Sequence, residues 1–380
     1  MKRRRDRWDS SSSEEDEEEE TNRSLVKVVN KPIDAPITND ISNATHGLPL
    51  HNPLLDGCRS VYDCYERLDK IDEGTYGVVY RAKDLATNEI VALKQIKFDA
   101  SLKKEGFPMA ALREIGVLLA LSHESIVTVK EMVVGDDFDK VFMVMDIMEG
   151  DLQDAMKRSG SSSFPQAEVK TMLYQILSAT QHIHNKWILH RDMKTSNILV
   201  HKSGRLALCD FGLARKYQEP LRAMTQTVVT LWYRPIELLF GTSIYGPEID
   251  MWSIGCIFGE LLKKEAMIQG QGELDQIDKI FKLLGSPNEE VWPGFTSLQN
   301  ASIFRWKNKD PPKIYTEFPV NSFSGHMTFL DQNGFDLLQG LLTLNPKSRL
   351  SAEQALNHPY FKQGVEMAVP ESIAHIYANS

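Results

Sequence analysis

The sequence predicts an α+β protein built as a small β-rich lobe with one helix, followed by a larger α-helical lobe. Three observations carry this. Between about Tyr65 and Leu152 the apolar pattern favours strands, interrupted by one helical stretch. From about Pro165 onward helical spacing takes over. The length of 380 residues leaves room for two domains or one large bilobal unit.

Composition fits a globular chain, with 42% hydrophobic and 25% charged residues. No run of ~18 uncharged apolar residues is present, so no transmembrane helix is expected. The first residues pass from a basic cluster into serine and glutamate, unlike a secretory signal. Cys58, Cys64, Cys209 and Cys256 have no metal-ligand spacing and are too few for a disulfide framework, which points to a reducing compartment. The net charge is −9, of which residues 1–20 contribute −4. The remainder is too close to neutral to argue for nucleic-acid binding.

Residues 1–57 form a leader with too little apolar surface to offset the entropy of ordering it. Lys2, Arg3, Arg4, Arg5 and Arg7 suit a nuclear-import signal, and Ser10 to Ser13 before the acidic run suit phosphorylation. A plain solvated tail fits the same composition.

In the first lobe, Glu73-Gly74-Thr75-Tyr76-Gly77 places two glycines three apart, which suits a turn whose N–H groups approach phosphates. A structural turn would look the same. Val78-Val79-Tyr80 continues as a strand rather than opening a helix, so the loop is a hairpin tip and not a dinucleotide-binding turn. In Ile90-Val91-Ala92-Leu93-Lys94-Gln95-Ile96, period two puts Ala92 and Lys94 on one face and Val91 and Leu93 on the other. Lys94 alone could be a snorkelling edge residue. The helix following Pro108, however, puts Glu114 on a face with Ala110, Val117, Leu118 and Leu121, where a carboxylate needs a cation.

In the second lobe, Val169, Met172, Leu173, Ile176, Leu177, Thr180 and Ile183 form a one-sided stripe. The stretch from Trp252 to Leu262 is apolar nearly all round, as in a helix buried within a large domain. The strongest chemical signal is His190-Arg191-Asp192-Met193-Lys194-Thr195-Ser196-Asn197, followed by the apolar strand Leu206-Ala207-Leu208-Cys209 ending at Asp210-Phe211-Gly212. Asp192 can accept a hydroxyl proton, Lys194 adds positive charge beside it, and Asn197 and Asp210 offer hard oxygens to magnesium. Phosphoryl transfer needs mainly positioning and charge neutralisation.

In order and spacing these motifs resemble the eukaryotic protein kinases, from about Tyr65 to Phe361. Lys194 is similar to the serine/threonine class. Glu73-Gly74-Thr75-Tyr76-Gly77, Leu112-Arg113-Glu114-Ile115 and Val228-Val229-Thr230-Leu231-Trp232-Tyr233-Arg234 resemble the cyclin-dependent kinases. Within them, Cys58-Arg59-Ser60-Val61, Asn185-Lys186-Trp187 and Lys194-Thr195-Ser196-Asn197 resemble the PITSLRE subgroup, with Met109-Ala110-Ala111 where that subgroup has Ile-Thr-Ser.

The resemblance implies the bilobal kinase fold, with an N-lobe over about 65–148, a C-lobe over about 149–361 and a short tail over 362–380. It implies ATP and Mg2+ as cofactors, with ATP held between the lobes. Asp192, Lys194, Lys94 and Glu114 would be catalytic, and Asn197 and Asp210 would hold the metal. Ile71, Gly74, Gly77, Val79, Ala92, Lys94, Asp146, Met148 and Leu199 would bind the nucleotide. Met145 and Cys209 would line its pocket, with Cys209 read there as a small buried hydrophobe ahead of a reactive thiol.

The resemblance further implies a phosphosite at Thr225 gripped by Arg113, Arg191 and Arg215, and inhibitory phosphosites at Thr75 and Tyr76. A cyclin would dock at 106–115, substrates would carry Ser/Thr-Pro, and the location would be nuclear, with roles in transcription, splicing or the cell cycle. Neither a membrane nor direct nucleic-acid binding is implied. His190 and His184 are expected to be structural, Asp250 to anchor the catalytic loop, and Glu237 and Arg349 to form a buried ion pair.

Two departures stand out. Asp72 occupies the first glycine position of the Gly-x-Gly-x-x-Gly loop, as an acidic residue does in the PITSLRE subgroup. Arg234-Pro235-Ile236-Glu237 replaces Arg-Ala-Pro-Glu, which pushes Arg234 toward extended geometry. Two other functions stay open, a pseudokinase scaffold and an interaction module carried by the leader. The presence of Lys94, Asp192, Asn197 and Asp210 weighs against the scaffold.

Overall fold

A computed structural model describes residues 57–74, 77–97, 109–137, 140–160, 163–301, 311–321 and 327–378. Outside them lie the leader up to residue 56, Thr75, Tyr76 and positions 106–108 of the expected cyclin-docking segment. The chain divides into two compact units.

The first unit takes in the described residues up to Lys97 together with Lys130–Met145. Its strands are β1 (Arg59–Ser60), β2 (Tyr65–Gly74), β3 (Gly77–Asp84), β4 (Ile90–Ile96), β5 (Val129–Val134) and β6 (Val141–Asp146), with a short helix α1 (Val61–Cys64) after β1. They form one sheet in the order β1-β5-β6-β4-β3-β2. The sequence places the start of regular structure near Tyr65; among the described residues the first strand already stands at Arg59. Parallel pairing of β1 with β5 and the convergence of Arg59 and Tyr65 on Glu131 account for the earlier start.

The glycine-rich segment is a hairpin as expected, closed by Gly74 opposite Gly77. Gly77 is required there, because a Cβ would stand 2.4 Å from the Gln95 carbonyl oxygen. Period two holds in β4, where Val91 and Leu93 join Val61, Tyr65, Tyr80, Ala82, Val133, Phe142 and Val144 in the core.

The second unit comprises the described residues of 98–129 and 146–378. Its helices include α2 (Met109–Leu119), α3 (Leu152–Arg158), α4 (Gln166–Asn185), α5 (Ile236–Leu239), α6 (Glu248–Lys263) and α7 (Glu273–Leu284). The α4 stripe from Val169 to Ile183 is buried, and α6 is buried from Ile249 to Leu262. Each fully buried Ile or Leu there contributes about 1.5–3 kcal/mol, so these two helices form the centre of the unit. No helix among the described residues is long and apolar enough to cross a membrane.

Short strands β7 (Gly150–Asp151), β8 (Ile188–Leu189), β9 (Ile198–Val200), β10 (Leu206–Leu208) and β11 (Arg215–Lys216) carry the loops that matter for function. β7, β9 and β10 make one small sheet, and β8 pairs with β11.

The chain beyond Phe361 is tied into this unit. Lys170 on α4 is fully buried, which for an unsolvated ammonium would be costly. It donates to the carbonyls of Gln363 at 2.9 Å and Val365 at 2.7 Å and lies over the Tyr360 ring. Burial pushes its pKa down. Thr171 donates to the Ala368 carbonyl, and Ile373 and Ile376 are buried. Gly204, at φ +78°, turns between β9 and β10 under Pro370; a Cβ there would stand 1.6 Å from the Pro370 carbonyl oxygen.

Candidate active site

The candidate site is built on the loop between β8 and β9. Asp250, in the first turn of α6 and fully buried, takes the backbone N–H groups of His190 and Arg191 at 2.9 Å each and the His184 ring at 2.9 Å. Burial alone would raise the Asp250 carboxyl, but the His184 bond and nearby positive charge outweigh it and hold the pKa low. These bonds fix Arg191 at φ +67°, a conformation a non-glycine residue adopts only when its surroundings impose it. The His190 Nδ1 accepts from the Asp192 N–H at 3.3 Å, so its Nε2 donates to the Cys209 carbonyl at 3.0 Å. Both histidines and Asp250 are therefore structural, as the sequence suggested.

This loop presents the Asp192 side chain. Its Oδ1 accepts from the Thr230 N–H at 3.0 Å and the Thr230 hydroxyl at 2.7 Å. Its Oδ2 lies 2.9 Å from Lys194 Nζ and 3.2 Å from Asn197 Nδ2. Burial works to raise the Asp192 pKa, yet the Thr230 and Lys194 bonds prevail, and it sits below the ordinary carboxylate range. At neutral pH the group is an oriented anion.

The β9–β10 ladder pairs Ile198 with Leu208, and the Cys209 N–H donates to the Asn197 carbonyl at 2.9 Å. That register brings Asn197 and Asp210 to the same end of the hairpin. Asn197 commits its amide nitrogen to the Asp192 carbonyl at 2.8 Å, so its Oδ1 is the atom it offers a cation. Asp210, at φ +59°, adds a carboxylate that also accepts from the Gly212 N–H. One amide oxygen and one carboxylate are a donor set suited to a hard divalent cation.

The other expected residues fall as follows. Ile71, Gly74, Gly77, Val79, Ala92 and Lys94 lie on β2, β3 and β4 of the first unit, with Lys94 opposite Val79 and Ile71 exposed. Asp146, Met148 and Leu199 lie in the second unit, where Asp146 meets Arg205 at 3.4 Å. Glu114 is buried on α2. The four cysteines are free, and Cys209 is partly buried.

Thr225 is exposed. Its carbonyl accepts from the Tyr245 hydroxyl at 2.6 Å, which in turn accepts from Arg191 at 3.0 Å. Burial raises the Tyr245 pKa, and the charges of Arg191 and Arg215 offset part of that. Arg191 and Arg215 thus gather near Thr225. Arg113 lies on α2 and is partly buried.

On the substrate-side loop, Arg234 is extended, at φ −77° and ψ 125°, as the displaced proline implies. Its Nε and Nη2 donate to the Val229 carbonyl at 3.1 and 3.0 Å. Val229 lies at φ +67°, rare for a β-branched residue. Glu237 and Arg349 form the expected buried pair, at 2.7 and 3.0 Å. The role of Thr230 on Asp192 was not legible from sequence, since 38 residues separate the partners. Nor was Glu260, buried on α6, which accepts from Thr195 and Tyr233 and steadies the turn before Asn197.

Comparison with known proteins agrees with this geometry. The protein kinase domain family matches residues 65–361. Cyclin-dependent kinase G-2 of Oryza sativa subsp. indica is 50% identical over 319 residues, which cover 84% of this chain and 44% of that protein. Serine/threonine-protein kinase PITSLRE of Drosophila melanogaster is 49% identical over 323 residues, 83% of this chain and 33% of that protein. Cyclin-dependent kinase 11B of Homo sapiens is 47% identical over 317 residues, 83% of this chain and 38% of that protein. The chain thus aligns with less than half the length of each of these relatives. With the Asp192, Asn197 and Asp210 geometry inside the matched region, the chain belongs to the protein kinase family.

Proposed function

We propose that this chain is a cyclin-activated serine/threonine kinase that transfers the γ-phosphate of ATP to protein Ser/Thr followed by proline. The observation that carries it is the Asp192 carboxylate, ionised and oriented between Thr230, Lys194 and Asn197. Such a group accepts a hydroxyl proton and aims the oxygen, while Lys194 supports charge on the transferring group. Magnesium, held by Asn197 and Asp210, would supply charge neutralisation at the phosphates. Ile71, Gly74, Gly77, Val79, Ala92, Lys94, Asp146, Met148 and Leu199 are assigned to the nucleotide. The kinase domain is assigned to 65–361 and the leader to 1–57, whose basic cluster supports a nuclear location.

The proline preference is supported by Val229. With its carbonyl turned to Arg234, it offers no acceptor to the N–H of the residue after the phosphoacceptor. A buried N–H left without a partner costs about 1–3 kcal/mol, and proline has none to lose. Cyclin docking at 106–115 is supported by α2, where Met109, Leu112 and Leu119 share one face and are 69%, 47% and 60% exposed. An apolar stripe of this kind calls for a covering partner.

One assay tests the set. γ-Phosphate transfer to otherwise identical Ser-Pro and Ser-Ala peptides is measured with and without candidate cyclins. We expect roughly ten- to a hundredfold preference for Ser-Pro and strong cyclin dependence. Thr225→Ala should lower activity, because a phosphate there would satisfy the neighbouring cations and order the loop. Equal rates on both peptides would remove the proline preference, no gain with any cyclin would remove the activation, and full activity in the Thr225 variant would remove the phosphosite.

A further inference from the structure

Val229 stands in a left-handed conformation that its side chain disfavours, so something must hold it there. The Arg234 fork does so directly, and that fork is itself held. Arg234 Nη1 donates to Glu273 Oε1 at 2.6 Å, at the first residue of α7. The guanidinium therefore lies between the Val229 carbonyl on one side and the Glu273 carboxylate on the other.

The carboxylate is not loosely placed. The start of α7 is clasped to the segment carrying Arg234 by a second set of bonds. The Trp232 indole donates to the Gly270 carbonyl at 3.0 Å, and Gln276 donates to the Trp232 carbonyl at 3.3 Å while accepting from the Gly270 N–H at 2.8 Å. Gln276 is fully buried, and a Cβ at Gly270 would stand 2.4 Å from its Oε1. Pro235 fixes the other end by holding Arg234 extended. Glu273 thus meets Arg234 from a rigid base.

We propose that Glu273 is a positioning residue for substrate selection, acting through Arg234 to keep the Val229 carbonyl away from the substrate backbone. This rests on the proline-directed reading above. Without Glu273 the guanidinium keeps one partner, swings more freely, and releases the carbonyl part of the time. A released carbonyl can accept the N–H of a non-proline residue, so discrimination falls through better use of Ser-Ala and not through general loss of activity.

The test uses the full chain isolated with its bound partners, assayed on Ser-Pro and Ser-Ala peptides. Glu273→Gln should lower the ratio of the two kcat/KM values about threefold or more, with Tm little changed because the Glu273 side chain is 61% exposed. Raising salt should lower the wild-type ratio by screening the exposed carboxylate, and should not lower that of Glu273→Gln further. Arg234→Lys, which keeps the charge but loses the fork, should lower the ratio as well. An unchanged ratio in Glu273→Gln, or equal losses on both peptides, overturns the proposal while the proline preference stands. A wild-type ratio of one removes the proline-directed reading itself, and this proposal with it.

Discussion

Asp192→Asn is expected to lower phosphoryl transfer by roughly 10²- to 10⁴-fold while leaving nucleotide binding nearly intact. The amide keeps the size of the carboxyl group but cannot accept the substrate proton. It also reverses the bonding on one side. Where Oδ2 now faces Lys194 Nζ at 2.9 Å and Asn197 Nδ2 at 3.2 Å, an NH₂ group would set donor against donors. If instead the amide oxygen turned that way, the NH₂ would face the Thr230 N–H. Single-turnover transfer to a Ser-Pro peptide and calorimetric ATP affinity separate the two effects. Transfer within tenfold of wild type would refute the role assigned to Asp192.

The largest expected effect on stability is at Arg349. Both members of the Glu237–Arg349 pair are withdrawn from water, with 2% and 0% of their side chains exposed. Arg349 also donates to the carbonyls of Glu248 and Thr343 and stacks over Trp252 at 4.9 Å. Arg349→Met fills much of the same space but strands a carboxylate in the interior, which costs about 3–5 kcal/mol. Differential scanning calorimetry should show Tm falling by at least about 6 °C. Adding Glu237→Leu should recover part of the loss, because the stranded charge is then gone. An unchanged Tm in Arg349→Met would rule out an essential ion pair.

The two predictions differ in how they could be foreseen. Asp192, Asn197 and Asp210 lie in two short stretches whose residue types state their chemistry, and the hairpin, the β4 faces and helices α4 and α6 follow from local periodicity. Thr230, Glu260 and Glu273 carry no such signal. Each acts across the fold, and the residue type alone does not say which distant group it will meet. Val229 is harder still, since a valine argues against the left-handed backbone it adopts, and only the Arg234 fork explains it. Lys170 misleads in a similar way. In the α4 pattern a lysine would be expected at the surface, yet carbonyls supplied from nearly two hundred residues later take it into the interior.

That buried lysine distinguishes two boundaries. The match to the protein kinase domain family ends at residue 361, but the packed body does not. Cut after Phe361, the chain would keep every motif of phosphoryl transfer and lose both carbonyl oxygens that make Lys170 tolerable in the core. The family match and the packed body are offset here by a few residues, and the final segment completes the fold from outside that match.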